Sequence, residues 1–221
     1  QDLKGRLQTF KSVVTTLNTE SKFLSTESSF SNNNATDTNS VVSLSTNSQA
    51  TSGTFSLTVN NLARETKLVS DGFSSTSGAV TQGTIVIVAG GTSATITIDS
   101  SNDTVAGLRL AINNSGLNVK ATFLNDGSST NPLRLVLSGT QTGSDNSVSV
   151  TGSIVSFSET QSAQNSNFIL DGVSITKSNN TVTDVITGTI ITLESAGSGT
   201  ITLSSDTDTI KEKVQAYVDG F

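Results

Sequence analysis

Apolar residues at both ends of this chain recur at helical spacing, whereas most of the stretch between them alternates apolar with hydroxyl-bearing residues. Leu3, Leu7, Phe10, Val14 and Leu17 follow at intervals of four and three, and Ile210, Val214, Tyr217 and Phe221 repeat the pattern. Such intervals set side chains along one face of a helix. Neither narrow stripe can bury itself. Both are satisfied if the two ends meet as a helical stalk that carries the middle of the chain as β domains. An ordinary helix packed on a globular core is the other arrangement open to the first stripe, which spans barely three heptads. These nine residues are the candidate self-assembly and partner contacts.

Composition limits the chemistry. Hydrophobic residues make up 33% of the 221, below the globular average, so the core is thin and divided among small domains. Charged residues are only 14%, so hydroxyls and amides must keep the surface wet. The net charge of −6, with 12 Lys plus Arg against 18 Asp plus Glu, forms no basic patch, which argues against nucleic acid as a partner. Cys, His, Met and Trp are absent. No thiolate or imidazole can hold a metal, and no Cys–His pair or His-containing triad can exist. The expectation is a protein with no cofactor, no metal and no enzymatic activity. No apolar run is long enough to span a membrane. The chain opens on Gln, which suggests a piece of a longer protein, so the lack of a signal segment carries little weight.

The spacing predicts a helix over 1–27, with Ser21 and Leu24 continuing its stripe, and a polar linker over Ser28–Ser40. Val42 and Leu44, then Phe55, Leu57 and Val59, alternate as strands. Leu62–Leu68 reads as an irregular or extended connection, and the Ser/Gly-rich stretch Ser70–Gly78 as a domain boundary. Two strands, Thr84–Val88 and Ala94–Ile98, flank Gly90-Gly91. A helix with Val105, Leu108, Ala111 and Ile112 inward follows, with Asn102 or Asp103 as its cap and Gly116 as its stop. Strands Val119–Leu124 and Leu133–Leu137 complete a β-β-α-β-β module in which the helix covers one small sheet. Asp171-Gly172 marks a hairpin, and Ile190–Leu193 and Thr200–Leu203 are further strands. The expected fold class is mainly β with an α+β insertion: two small sheet domains, one inserted in the other, on a short stalk formed by the N- and C-terminal helices. The expected segments are 1–30 for the N-terminal stalk helix, 31–73 and 159–206 for the stalk-proximal β domain, 74–158 for the inserted α+β domain, and 207–221 for the C-terminal stalk helix.

Few residues invite a chemical reading. Gly90-Gly91 is a turn, since no phosphate-loop pattern surrounds it. Asp99, Asn102 and Asp103 bring oxygen donors together, but their spacing matches no calcium loop, and capping is the simpler account. Asn125-Asp126-Gly127 reads as a turn. Glu159, Asp171, Asp184 and Glu194 have the right type for paired acids but no pairing spacing. Arg64, Arg109 and Arg134 stand out in a chain poor in cations. For Arg109 the sequence allows a stem over the core with a wet guanidinium, or a salt bridge.

Several segments resemble the flagellar filament-capping (hook-associated protein 2) family. Leu62-Ala63-x-x-x-Lys67-Leu68-x-Ser70 is similar to its LA-x-x-x-KL-x-S segment. Thr104-Val105-x-Gly107-Leu108-Arg109-x-Ala111-Ile112-Asn113 is similar to its TL-x-GLR-x-AIN helix, with Val105 where Leu is usual. Arg134–Gly139, Leu170–Val173, Ser178–Thr189 and Ile210–Asp219 extend the likeness in family order over nearly the whole chain. Gly220 and the polar Ser28–Asn39 tract depart from it. The resemblance implies two outer β domains with the inner stubs of a longer stalk. It also implies a structural cap at the distal tip of the bacterial flagellum, extracellular, exported through the flagellar channel, and promoting folding and insertion of flagellin. The implied partners are flagellin and further copies of the chain in a homo-oligomer, with this piece a monomer. Hook–filament junction proteins and host surface glycans or mucin are further candidates, and a surface adhesin or glycan-binding β module is the alternative function.

Overall fold

The computed structural model describes residues 2–17, 25–33 and 40–219. Among them the chain is mainly β, with helices at both ends. Helix α1 (Asp2–Leu17) precedes β1 (Thr26–Asn32), β2 (Val42–Thr46), β3 (Gly53–Asn61), β4 (Lys67–Ser70), β5 (Gly83–Ala89) and β6 (Thr92–Ile98). Helix α2 (Val105–Asn113) is followed by β7 (Val119–Asn125), β8 (Leu133–Gly139), β9 (Val148–Gly152) and β10 (Phe157–Gln161). Then come β11 (Ser166–Leu170), β12 (Val173–Lys177), β13 (Thr181–Val182), β14 (Thr189–Leu193), β15 (Gly197–Ser205) and helix α3 (Thr207–Asp219). Two compact units result. One comprises 1–61, 168–175 and 180–221, and the other 62–167 and 176–179.

The first unit holds a five-stranded sheet in the order β1-β15-β3-β11-β12 and a three-stranded sheet in the order β13-β14-β2. Alternation builds them: Ile201 and Leu203 on β15 and Leu57 and Val59 on β3 are buried, while their neighbours along each strand are half-buried or exposed. Each fully buried Leu or Ile contributes about 1.5–3 kcal/mol. Asp171 and Gly172 both have positive φ, 46° and 82°, as a two-residue hairpin turn requires.

Two expectations need correction here, the helix as far as 27 and the linker from 28. Residues 26–32 are neither helix nor linker but strand β1, paired antiparallel with β15 from Thr26↔Ser205 to Asn32↔Gly199. An edge strand needs only one half-buried face, and Phe30 is the single apolar residue in Thr26–Asn32, so no apolar period signals it. Phe30 lies over Gly199, where an added Cβ would come within 2.3 Å of its ring. Ser21, Leu24 and 34–39 lie outside the described residues. The early and late strands lie in one unit but in two sheets, because β2 pairs with β14 while β3 pairs with β15. Alternation fixes which face is inward and leaves the pairing partner open.

In the second unit a four-stranded sheet, β10-β4-β8-β7, and a three-stranded sheet, β6-β5-β9, share one core with α2. Ile85, Ile87, Ile96 and Ile98 come from one sheet, Val119, Ala121, Leu135 and Leu137 from the other, and Val105, Leu108 and Ile112 from the helix. The two hairpins flanking α2 therefore belong to separate sheets, and the helix touches both β7 and β6 instead of covering one sheet. Lys67–Ser70, expected in a connection, is the inner strand β4, so the compact units divide at 61/62 instead of the expected 73/74. Two buried hydroxyls on this segment replace strand partners: Thr66 Oγ1 accepts from Val148 N–H at 3.0 Å, and Ser70 Oγ from Leu135 N–H at 2.8 Å. At the second junction the division falls at 167/168, not 158/159.

The helix cap is Thr104, whose hydroxyl accepts from Gly107 N–H at 3.1 Å, rather than Asn102 or Asp103. Asn102 is engaged elsewhere, accepting from Asp99 N–H at 2.7 Å and donating to Thr97 C=O at 3.0 Å. Its carbonyl also approaches Gly107 so closely that an added Cβ would sit 2.2 Å from it.

Candidate functional site

The apolar stripes bring the chain ends together. Helices α1 and α3 lie against each other, and Phe10 stacks on Tyr217 with ring centroids 5.7 Å apart and planes at 29°. Phe10, Tyr217 and Ile210 are half-buried. The rest of the apolar surface remains open: Leu7 is 66% exposed, Val218 59%, Val214 43% and Val14 37%. No residue of α3 is buried. Leu3 and Leu17 belong to α1, with side chains outside the described set, and Phe221 lies outside the described residues. A paired helix surface with this much uncovered aliphatic area can contact further helices or a partner.

The helix pair is fastened to its sheet at one point that residue spacing did not reveal. Asp206 caps α3 by accepting from Thr209 N–H at 2.8 Å. Its own N–H donates to Ser25 C=O at 2.8 Å, and Ser25 Oγ donates to its carboxylate at 3.3 Å. The Thr209 hydrogen bonds, helped by Ser25 and by the charge of Lys213, hold the Asp206 carboxyl below its ordinary value. An Asp immediately before a helical pattern was the available signal, but it says nothing of Ser25, far away in sequence.

The other candidates are placed as structure, not as a reaction site. Asp99 accepts from Ser101 N–H and Oγ at 2.8 and 2.6 Å, and Asp103 accepts from Gln82 at 3.0 Å. Among the described residues no three His, Cys, Asp or Glu side chains group to hold a metal. Glu159, Asp171, Asp184 and Glu194 are all exposed. Gly90 and Gly91 turn a hairpin with φ of 56° and 77°. Asn125 Oδ1 accepts from Gly127 N–H at 2.9 Å, and Asp126 pairs with Arg134 at 2.7 Å. Arg64 is exposed and its backbone bridges Gln164. Arg109 is half-buried and covers the core-packed Phe123: its guanidinium carbon lies 5.0 Å from the Phe123 ring centroid, and its Nε is buried without a hydrogen-bond partner. That cover over Phe123, with Phe168 fully buried, disfavours both rings as a platform for stacking sugars. Among the described residues no helix is long and apolar enough to cross a membrane.

Comparison with known proteins agrees with this layout at both ends. Family models described as the N-terminus and the C-terminus of flagellar hook-associated protein 2 match residues 1–66 and 163–221. The chain is 28% identical to the B-type flagellar hook-associated protein 2 of Pseudomonas aeruginosa over 251 residues, covering 99% of this chain and 51% of that protein. It is 31% identical to flagellar hook-associated protein 2 of Escherichia coli K12 over 198 residues, covering 80% of this chain and 42% of that one. The chain thus spans about half the length of the curated relatives it matches. Among solved structures it resembles the D1-D2-D3 domains of the flagellar cap protein FliD from E. coli, with a TM-score of 0.77, 25% identity, and coverage of 100% of this chain and 69% of that one. FliD (HAP2) from P. aeruginosa PAO1 superposes with a TM-score of 0.66 at 30% identity, covering 81% of this chain and 93% of that one.

Proposed function

Because the chain belongs to the flagellar hook-associated protein 2 family, we propose that it is part of a structural cap at the distal tip of the bacterial flagellar filament. There it promotes folding and insertion of exported flagellin and catalyses no reaction. Its place is extracellular, reached through the flagellar export channel. Its partners are flagellin and further copies of itself.

One observation carries the reading: the helix pair joined at Phe10 and Tyr217, with Leu7, Val14, Val214 and Val218 left uncovered. A cap has to hold the filament end and still shift as each subunit enters. Separate aliphatic contacts on paired helices supply grip without the permanence of a continuous apolar interface. The sheets, each with a buried face, supply firm surfaces against which incoming flagellin can fold. The candidate contacts are Leu3, Leu7, Phe10, Val14, Leu17, Ile210, Val214, Tyr217 and Phe221.

The test replaces Leu7, Phe10 and Val14 with Ser in the full-length protein. Filaments should shorten and unpolymerised flagellin should accumulate in the medium, while circular dichroism keeps its β signature. Normal filament growth in that variant rules out the helices as the working surface.

A further inference from the structure

Strand β7 ends the four-stranded sheet, so among the described residues one of its edges has no neighbouring strand. Backbone groups along an antiparallel strand point alternately to one edge and the other. On β7 the outward positions are Val119, Ala121 and Phe123, since Ala121 gives both its backbone groups to a side chain outside the sheet. That side chain is Asn113 of α2. Its Oδ1 accepts from Ala121 N–H at 2.8 Å, and its Nδ2 donates to Ala121 C=O at 3.0 Å. A carboxamide carries one donor and one acceptor side by side, as the peptide group of an adjacent strand does. Of the flanking positions, Val119 has its N–H donated to Leu117 C=O at 2.8 Å, and at Phe123 the Arg109 guanidinium lies over the side-chain ring.

Arg109 and Asn113 stand one helical turn apart, in the Gly107-Leu108-Arg109-x-Ala111-Ile112-Asn113 segment. Leu108 and Ile112 anchor that segment in the core. The helix therefore brings two polar side chains to an edge that other chains could otherwise extend.

We propose that α2 is an edge guard: Asn113 occupies within the same chain the hydrogen-bonding positions on β7 that a strand from a second copy would take. The guarded edge accepts no added strand. With the guard removed, β7 pairs with the corresponding edge of another molecule.

The test uses the whole chain with Asn113→Ala, and Asn113→Asp as a second variant that keeps the size and one acceptor but loses the donor. Alanine favours helix at least as well as asparagine, so α2 itself should persist. Amide exchange at Ala121 should accelerate about tenfold in Asn113→Ala, the loss of one net hydrogen bond, and stay slow in Asn113→Asp, whose carboxylate still accepts from that N–H. A fluorescent peptide copying Val119–Asn125 should bind Asn113→Ala at least about tenfold more tightly than it binds wild type, on the same one-bond scale, and Asn113→Asp less tightly than Asn113→Ala. Equal peptide binding by wild type and Asn113→Ala overturns the proposal. So does unchanged Ala121 exchange in the folded Asn113→Ala protein. Adding Leu124→Lys, a charge on the half-exposed edge, should restore resistance to the peptide.

Discussion

At the scale of single residues, Asp126 and the helix segment 104–113 show how much of this chain's polar chemistry is architectural. Asp126 accepts from Ser128 N–H at 2.9 Å and from Arg134 Nε at 2.7 Å. The Ser128 backbone N–H first, then the Ser128 hydroxyl and Arg134, lower its pKa from 3.8 to about 2. A depressed carboxyl stabilises the fold fully above its unfolded value and loses that contribution as pH falls through the folded one. The contacts of Asp126 should therefore persist through pH 4 and 3 and fail near 2. A carboxyl-carbon NMR titration of Asp126 checks this, and a midpoint close to 4 contradicts it. Each residue quoted from the 104–113 segment has a place in the fold: Thr104 caps, Val105, Leu108 and Ile112 fill the core with Ala111 packed against it, Gly107 admits the Asn102 carbonyl, Arg109 covers Phe123 and Asn113 holds Ala121. The apolar members were legible from spacing alone. The polar ones were not, because capping, stacking and edge contact depend on partners brought in by the fold.

At the scale of elements, legibility followed periodicity. Helix α2 and the hairpins around Gly90-Gly91 and Asp171-Gly172 were readable because apolar period and turn residues agreed there. Strand β1 was not, since its single Phe among Ser, Thr, Glu and Asn leaves no period to detect. For the candidate site, spacing alone predicted that α1 and α3 meet, and Phe10 does reach Tyr217. The tie between Ser25 and Asp206 was invisible, because hydroxyl and carboxylate pairs carry no sequence register. The aromatic stack is worth about 0.5–1.5 kcal/mol beyond the area it buries, a large share of what holds two helices with so little buried surface. Tyr217→Ala should therefore raise hydrogen exchange across both α1 and α3 while leaving β3 and β15 protected. Unchanged exchange in α1 would show that the stack does not join them.

At the scale of the whole molecule, two units with separate sheets and separate buried side chains should not respond to denaturant as one. Tyr217 is the only tyrosine and tryptophan is absent, so intrinsic fluorescence reports the helix pair alone. Far-UV circular dichroism reports mainly the strands. Since α3 buries no residue, the fluorescence change should come at lower urea than the dichroism change. Coincident curves contradict this. The fold class could be read from alternation and end stripes, but the division into units could not, because it depends on which strands pair across long stretches of chain. That pairing also imposes a timetable. A chain delivered one end first, from a ribosome or through a narrow conduit, completes almost all of the 62–167 unit while β15 is still to come. Until the final strand and helix arrive, β1 must wait beside an empty place. The unit that holds both chain ends is then the last to mature, and any pause in delivery leaves that unit, rather than the inserted one, exposed to misassembly.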